Sequence, residues 1–283
     1  MQSLSVVVPS KGGEYLRYLL PALGRQTILP KEVVLVLKDC DASKVERLCN
    51  QCGLPSVIIE QRESHVTRAY EMGRKAASGD IAIFTDDDAI PPERWVENHL
   101  RLHGRYSSAA CISSRDIILG SAEMRLKIGA SMILPCKVRL PRALKVNRWI
   151  RLIRSPPHPI MRRYQLGLYL SKELRMVWGP YLPEKACLST PYKGVNMSFK
   201  REALDLMRLP EHPLVRRGFG FEQHIALQLI LRGFDCVYSL DNPVLHLHRE
   251  SLSRTSDPRV WAEIQREYEV MRSMYADLIR DLS

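Results

Sequence analysis

At 283 residues, with 45% hydrophobic and 26% charged side chains, the chain has the make-up of a globular protein with a full core. No run approaches the roughly 20 apolar residues that span a bilayer, and no secretory signal opens it, so a cytoplasmic protein that begins folded is expected. The formal charge of +11 is concentrated: residues 124–172 hold twelve Lys or Arg and no Asp or Glu, leaving the remainder close to neutral.

The first hundred residues alternate two periodicities. Leu4 to Pro9 is a short apolar run, and Glu14 to Gln26 carries Leu16, Leu19, Leu20 and Leu23 at helical spacing. Glu32 to Leu37 reads as a second strand, Ser43 to Cys52 as a helix, and Ser56 to Glu60 as a third strand. His65 to Ser78 predicts a helix closed by Gly79, and Ile81 to Thr85 a fourth strand. That order predicts an α/β fold with a mainly parallel sheet covered by helices, whose ligands bind beyond the carboxyl ends of the strands.

The basic stretch that follows holds Pro135, Pro141, Pro156, Pro157 and Pro159, which suits short broken helices and not a continuous strand. From Tyr192 globular texture returns: a turn and strand over Lys193 to Phe199, a helix from Arg201, another after Phe221, and a late strand from Pro243 to His248. Trp261, Ile264, Tyr268, Met271, Tyr275 and Leu278 recur every three or four residues, an amphipathic helix packed on the domain. Four segments are expected: 1–105, the alternating α/β half; 106–190, a basic insertion; 191–250, a second half of the same domain; and 251–283, the terminal helix. The seven cysteines are scattered, and the lone CxxC, Cys49 to Cys52, has no second pair for zinc; plain thiols are expected.

The strongest chemical signal is Asp86-Asp87-Asp88 at the end of the Ile81 strand. Adjacent carboxylates repel and resist burial, and a divalent cation relieves that repulsion. Hard cations such as Mg²⁺ or Mn²⁺ take oxygen ligands and leave positions open for phosphate. Alternation turns Asp86 and Asp88 to one side and Asp87 to the other, although a solvated acidic turn would carry the same residues. His246 and His248 share one face of the late strand.

These motifs, in order, are similar to a family 2 glycosyltransferase of the GT-A fold. Ser5 to Ser10 resembles the opening strand that ends in Pro, and Gly73 to Asp88 the helix, Gly-Asp step and strand running into a DxD. Gly194-Val195-Asn196-Met197-Ser198-Phe199-Lys200-Arg201 resembles the family's later turn, and Phe221-Glu222-Gln223 through Gly233 to His246 its acidic helix start and final strand. The matches cover about residues 3–105 and 190–250, with the basic middle outside them.

The resemblance implies a Rossmann-like GT-A sheet with a Pro-containing insertion, and roles for particular residues. Pro9, Ser10, Lys11 and Asp39 would hold nucleobase and ribose, although the usual paired acids of the second turn are replaced here by Lys38-Asp39 or Leu37-Lys38. Arg68 would approach the diphosphate, with a plain surface Arg as the other reading; Asp86 and Asp87 would touch the nucleotide sugar. Asp88, with Asp86 and His246, would hold Mn²⁺ or Mg²⁺, and His248 and Arg249 would reach phosphate. Glu222 would be the base of an inverting transfer, because Gln223 cannot take a proton; the other reading is an acid that only favours the positive helix N-terminus.

The implied partners are a nucleotide-diphosphate sugar and a glycan or lipid-linked acceptor. Cations mixed with Trp149 and aliphatic residues across 124–172 suit an anionic membrane surface at the inner face of the cell, or a plain solvated face. Nucleic acid ranks lowest, since no RRM, KH or helix-turn-helix signature is present. A sugar-phosphate nucleotidyltransferase would need a Gly-rich, Arg-containing loop after the first strand, which Ser10-Lys11-Gly12-Gly13 is not. A catalytically inactive binding module on the same fold is the alternative from another class.

Overall fold

The computed structural model describes residues 2–119, 155–179, 185–247 and 257–282. The elements predicted for the first part follow in order: β1 (Leu4–Lys11), α1 (Leu16–Gly24), β2 (Glu32–Lys38), α2 (Ala42–Gln51), β3 (Ser56–Glu60), α3 (Val66–Ala76) and β4 (Ile81–Phe84). After them come β5 (Ala89–Ile90), α4 (Trp95–Arg105), β6 (Ala109–Leu119), a 3-10 turn at Pro159–Tyr164, β7 (Leu168–Leu170), β8 (Met176–Trp178) and β9 (Cys187–Leu188). A second 3-10 turn, Gly194–Asn196, leads into β10 (Met197–Lys200), α5 (Arg201–Leu206), α6 (Phe221–Leu231), β11 (Asp235–Leu247) and α7 (Pro258–Leu282).

The main sheet runs β3-β2-β1-β4-β10-β6-β11-β5, with β9 added on β11. β1 to β4 are parallel neighbours, as the alternating pattern predicts. β10 enters antiparallel between β4 and β6, and β6 and β11 run parallel to each other. A chain segment from after residue 190 therefore sits beside the strand that carries the three aspartates.

Period-two alternation sorts the core onto both faces. Val6, Val8, Leu35 and Ile83 pack with Leu16, Leu19, Leu20 and Leu23 of α1 and Trp95 of α4. Val7, Val34, Ala82 and Phe84 face the other way, onto Tyr70 of α3, Ile225 and Leu229 of α6, and Met271 and Tyr275 of α7. Gly73 lets α3 lie directly on β1, since a Cβ there would drive into the Val7 side chain. The terminal helix buries Ile264, Met271 and Tyr275 of the predicted stripe, while Trp261 stays exposed.

The turn and strand expected over Lys193 to Phe199 are present as a 3-10 turn at Gly194–Asn196 followed by β10 from Met197. One predicted strand is corrected. The late strand begins at Asp235, eight residues before its predicted start at Pro243. Its pairing with β6 shifts register between Ser239 and Val244, so Asp241-Asn242-Pro243, which reads as a turn, is absorbed as a bulge.

Of the basic stretch, the described part holds the 3-10 turn and β7, in keeping with its prolines. The expectations for residues 124–154, and for His248 and Arg249, lie outside the described residues. No helix among the described residues is long and apolar enough to cross a membrane. Cys49 and Cys52 are free thiols on and just after α2, with Cys49 buried.

Candidate active site

β4 ends in the middle of the sheet, and the turn after it places Asp86, Asp87 and Asp88 at the carboxyl ends of the parallel strands. Alternation separates their side chains. Asp87 is buried and accepts a hydrogen bond from the Ser10 hydroxyl at 2.6 Å, tying the ends of β1 and β4 together. Asp86 and Asp88 turn toward His246 of β11, whose Nε2 lies 3.2 Å from Asp88 Oδ1 and 3.9 Å from Asp86 Oδ2. One ligand atom from each of the three residues falls within 4.8 Å of the others.

The imidazole is held from behind. His246 Nδ1 is 2.8 Å from Asp116 Oδ2, and Asp116 also accepts from Lys193 Nζ at 2.8 and 3.0 Å. Burial opposes a charge on Asp116, but hydrogen bonding to His246 and the Lys193 ammonium outweigh it and hold the carboxyl at about 2. Burial likewise opposes a proton on His246, yet the bonds to Asp116 and Asp88 and the charges of Asp86 and Asp88 push it up to about 9. A carboxylate fixing the far nitrogen of an imidazole is the arrangement that orients a metal-ligating His. Two carboxylates and one oriented imidazole therefore fit a divalent cation.

Tyr70 connects this cluster to the opposite wall. Its hydroxyl donates to Asp86 Oδ1 at 2.8 Å, and its ring stacks on Phe84 and Phe221, with centroids 5.4 and 5.1 Å away. Phe221 precedes Glu222 at the start of α6, so the stack sets the spacing between the aspartates and Glu222. Burial, followed by the charge and hydrogen bond of Asp86, raises the Tyr70 phenol well above its ordinary value. The Tyr70 hydroxyl therefore remains a donor.

Glu222 Oε1 accepts the Gly194 N–H at 2.9 Å. A Cβ at Gly194 would lie 3.1 Å from the Phe221 ring and 3.4 Å from the Tyr70 hydroxyl, so any larger residue would press on that ring. Burial pushes the Glu222 carboxyl up to about 7, with Asp86 adding to it and the Gly194 N–H and Lys193 opposing. Such a group is poised to exchange a proton near neutrality. The Gln223 amide donates to the Pro191 carbonyl at 2.8 Å, a bond that a carboxylate could not make. Behind the Gly194 turn, Asn196 donates to the carbonyls of Asn242 (2.8 Å) and Arg115 (3.2 Å) and accepts from Trp95 Nε1 (3.0 Å), joining β6, β11 and α4.

The segment before α6 is held by the terminal helix. Glu267, buried at 4% exposure, accepts the backbone N–H groups of Arg217 (3.0 Å) and Phe219 (2.9 Å), and the Tyr275 hydroxyl donates to the Gly220 carbonyl at 2.7 Å. Tyr70, the aspartates, His246, Lys193, Glu222 and Glu267 border one cleft of about 1230 Å³, which reaches from Pro9, Ser10 and Lys11 to α7.

The profile of glycosyl transferase family 2 matches residues 5–166, more than half of the sequence. The chain belongs to that family. The match runs on past residue 105 into the basic stretch, which the motif resemblance leaves outside, and ends before the Gly194 and Phe221 motifs. Among curated proteins, none matches the family 2 chain significantly in sequence. Its fold is that of the GT-A glycosyltransferases. The mannosyltransferase PcManGT from Pyrobaculum calidifontis, in complex with GDP-Man and Mn²⁺, superposes with a TM-score of 0.58 at 17% identity, covering 99% of this chain and 64% of that one. S. aureus TarS 1-349 in complex with UDP-GlcNAc gives 0.54 at 14% identity, over 98% and 71% of the two chains. The same TarS piece with UDP gives 0.51 at 12%, over 95% and 64%. This family 2 chain thus spans about two thirds of the length of these structures.

Against this frame of residues, Pro9, Ser10, Lys11, Asp86, Asp87, Asp88, Glu222 and His246 all border the cleft. Two expected residues do not. The left-handed backbone of Asp39 (φ 53°) ends β2 and leaves its carboxylate largely exposed, paired with Lys38 at 3.1 Å; Lys38 takes the place on the cleft wall. Arg68 is turned away as well. Val66, Ala69 and Tyr70 form the cleft-facing stripe of α3, and Arg68 lies off it, paired with Glu63 and, at 3.1 Å, with Glu211.

Sequence reading missed Asp116, Lys193, Tyr70 and Glu267. A lone acid in the strand from Ala109 to Leu119 was the available sign for Asp116. Its partner stands 130 residues away, and only the β6–β11 register brings the two together. Tyr70 and Glu267 sit inside helical patterns that explain themselves as packing.

Proposed function

We propose that this family 2 chain is an inverting glycosyltransferase that moves a sugar from a nucleotide-diphosphate donor to an acceptor hydroxyl. One observation carries the reading: the Asp86, Asp88 and His246 cluster and the base candidate Glu222 border the same cleft, linked through Tyr70. The donor's nucleoside would lie along Pro9, Ser10 and Lys11, with Lys38 beside them. Asp86, Asp88 and His246 would hold the cation, and the mixed oxygen and imidazole set favours Mn²⁺ over Mg²⁺. When bound, the cation neutralises charge on the departing nucleotide diphosphate.

Glu222 takes the proton from the acceptor hydroxyl, whose oxygen attacks the anomeric carbon opposite the leaving diphosphate. Gly194 fixes the carboxylate through its N–H, and Lys193, held by Asp116, keeps that turn in place. Gln223, its amide engaged by Pro191, has no part in proton transfer. GDP-Man and UDP-GlcNAc, the donors seen with the structural neighbours, are the first to try. A thermal-shift series of UDP-, GDP- and dTDP-sugars with Mn²⁺ or Mg²⁺ tests the reading, because a ligand that binds only the folded state raises Tm. At least one donor should do so only with the cation present; none doing so overturns it. Contact of residues 124–172 with an anionic membrane is a separate proposal, tested by flotation with anionic vesicles, and protein that stays unbound ends it.

A further inference from the structure

The acceptor end of the cleft has its own chemistry. Trp178, on the β7–β8 hairpin, is 47% exposed and lines the cleft. Trp95, by contrast, is wholly buried in the core. Tyr192 meets the Trp178 ring almost at right angles, with centroids 4.3 Å apart and an interplanar angle of 74°.

This aromatic pair is anchored on both sides to the start of α6. Pro191 O receives the Gln223 amide, and Gly194 N–H donates to Glu222, so Tyr192 lies between two bonds to α6. Lys193 is in turn held by Asp116 at 2.8 Å. A rigid indole–phenol pair therefore stands within two residues of the group that contacts Glu222. Rigid aromatics lose little freedom on binding and offer a large apolar face with a polar edge.

We propose that Trp178 and Tyr192 form the acceptor subsite and that the acceptor presents an uncharged sugar ring to it. This rests on the transferase reading of the same cleft. A pyranose has an apolar C–H face that suits an aromatic ring and a rim of hydroxyls that suits Lys193 and Glu222. A hydroxyl on that rim is then within the region of the base. The charges argue against an anionic headgroup here: the nearest cation, Lys193, is neutralised by Asp116, and Glu222 is an acid. Two further cations of the cleft wall, Arg216 and Arg266, lie on the side of α7, with Glu263 and Glu267 among them.

The test is calorimetric titration of the full chain with maltotriose, cellotriose, chitotriose and lactose, beside glycerol 3-phosphate as the anionic non-sugar probe. Wild type, Trp178→Phe and Trp178→Ala are compared, each also titrated with UDP and GDP plus Mn²⁺. At least one saccharide should bind wild type, bind Trp178→Phe within about threefold, and bind Trp178→Ala at least tenfold more weakly, about 1.4 kcal/mol. That loss should exceed any loss of nucleotide affinity in the same variant by a similar factor. No saccharide binding, equal affinity for Trp178→Ala, or binding of glycerol 3-phosphate alone overturns the proposal. Saccharide binding without nucleotide binding in wild type sinks the transferase reading and leaves the Trp178 platform standing.

Discussion

Asp116 holds the Nδ1 side of His246 at 2.8 Å, which leaves Nε2 directed at Asp86 and Asp88. The pair joins two parallel strands, β6 and β11, in a register that places Asp116 beside Val244 and His246 beside Ile118. Asp116 is thus a positioning residue for the cation cluster and touches no substrate itself.

Asp116→Asn should weaken Mn²⁺ binding by about 10- to 100-fold, the range found when such an orienting carboxylate is lost. Isothermal calorimetry with Mn²⁺ alone reads this without any donor. Unchanged affinity would mean that His246 does not depend on Asp116 for its orientation.

Glu222→Gln should reduce transfer by about 10² to 10⁴-fold while nucleotide binding survives, because general-base catalysis contributes on that scale. The pH dependence follows from a carboxyl held at about 7 by burial foremost. Catalysis needs the ionised form, so kcat/KM should rise through pH 7 on its acid side. Stability moves the other way. Between about 4.5 and 7 the unfolded chain ionises this group while the folded chain keeps its proton, so the buried carboxyl costs stability progressively, and fully above 7. Glu222→Gln should therefore raise Tm relative to wild type at pH 8 and show no such gain at pH 4.5. A rate flat from pH 5.5 to 8 would remove Glu222 from the base position.

The terminal helix reaches the same region through Glu267, whose two oxygens receive the N–H groups of Arg217 and Phe219. A Gln there offers one acceptor and leaves one buried N–H without its partner, at a cost of about 1–3 kcal/mol. Glu267→Gln should lower Tm accordingly, and kcat should fall more than KM for the donor rises, since the loop it holds leads into Glu222. A Tm matching wild type would show that α7 does not hold that loop.

The parallel half of the sheet was legible because its signals are local. Val6 to Val8 and Val33 to Leu37 are strands buried on both faces, and Leu16 to Leu23 repeats with a helical period. Asp86 and Asp88 were legible for the same reason: three acids at a strand end must be compensated. Asp39 and Arg68 lie off the cleft lining; their side-chain direction was undetermined by the motif. One left-handed residue and a helix position off the cleft-facing stripe turned them outward. Asp116 acquires meaning only through the β6–β11 register, and Lys193 only through Asp116, pairings that no run of neighbouring residues encodes.

The most direct measurement is Mn²⁺-dependent hydrolysis of the best nucleotide sugar by wild type and Asp88→Ala. Hydrolysis should require the cation in wild type and fall at least a hundredfold in the variant, with the Mn²⁺-dependent Tm gain lost as well. An Asp88→Ala protein with undiminished turnover and an intact response to Mn²⁺ would contradict the role given to the Asp86, Asp88 and His246 cluster.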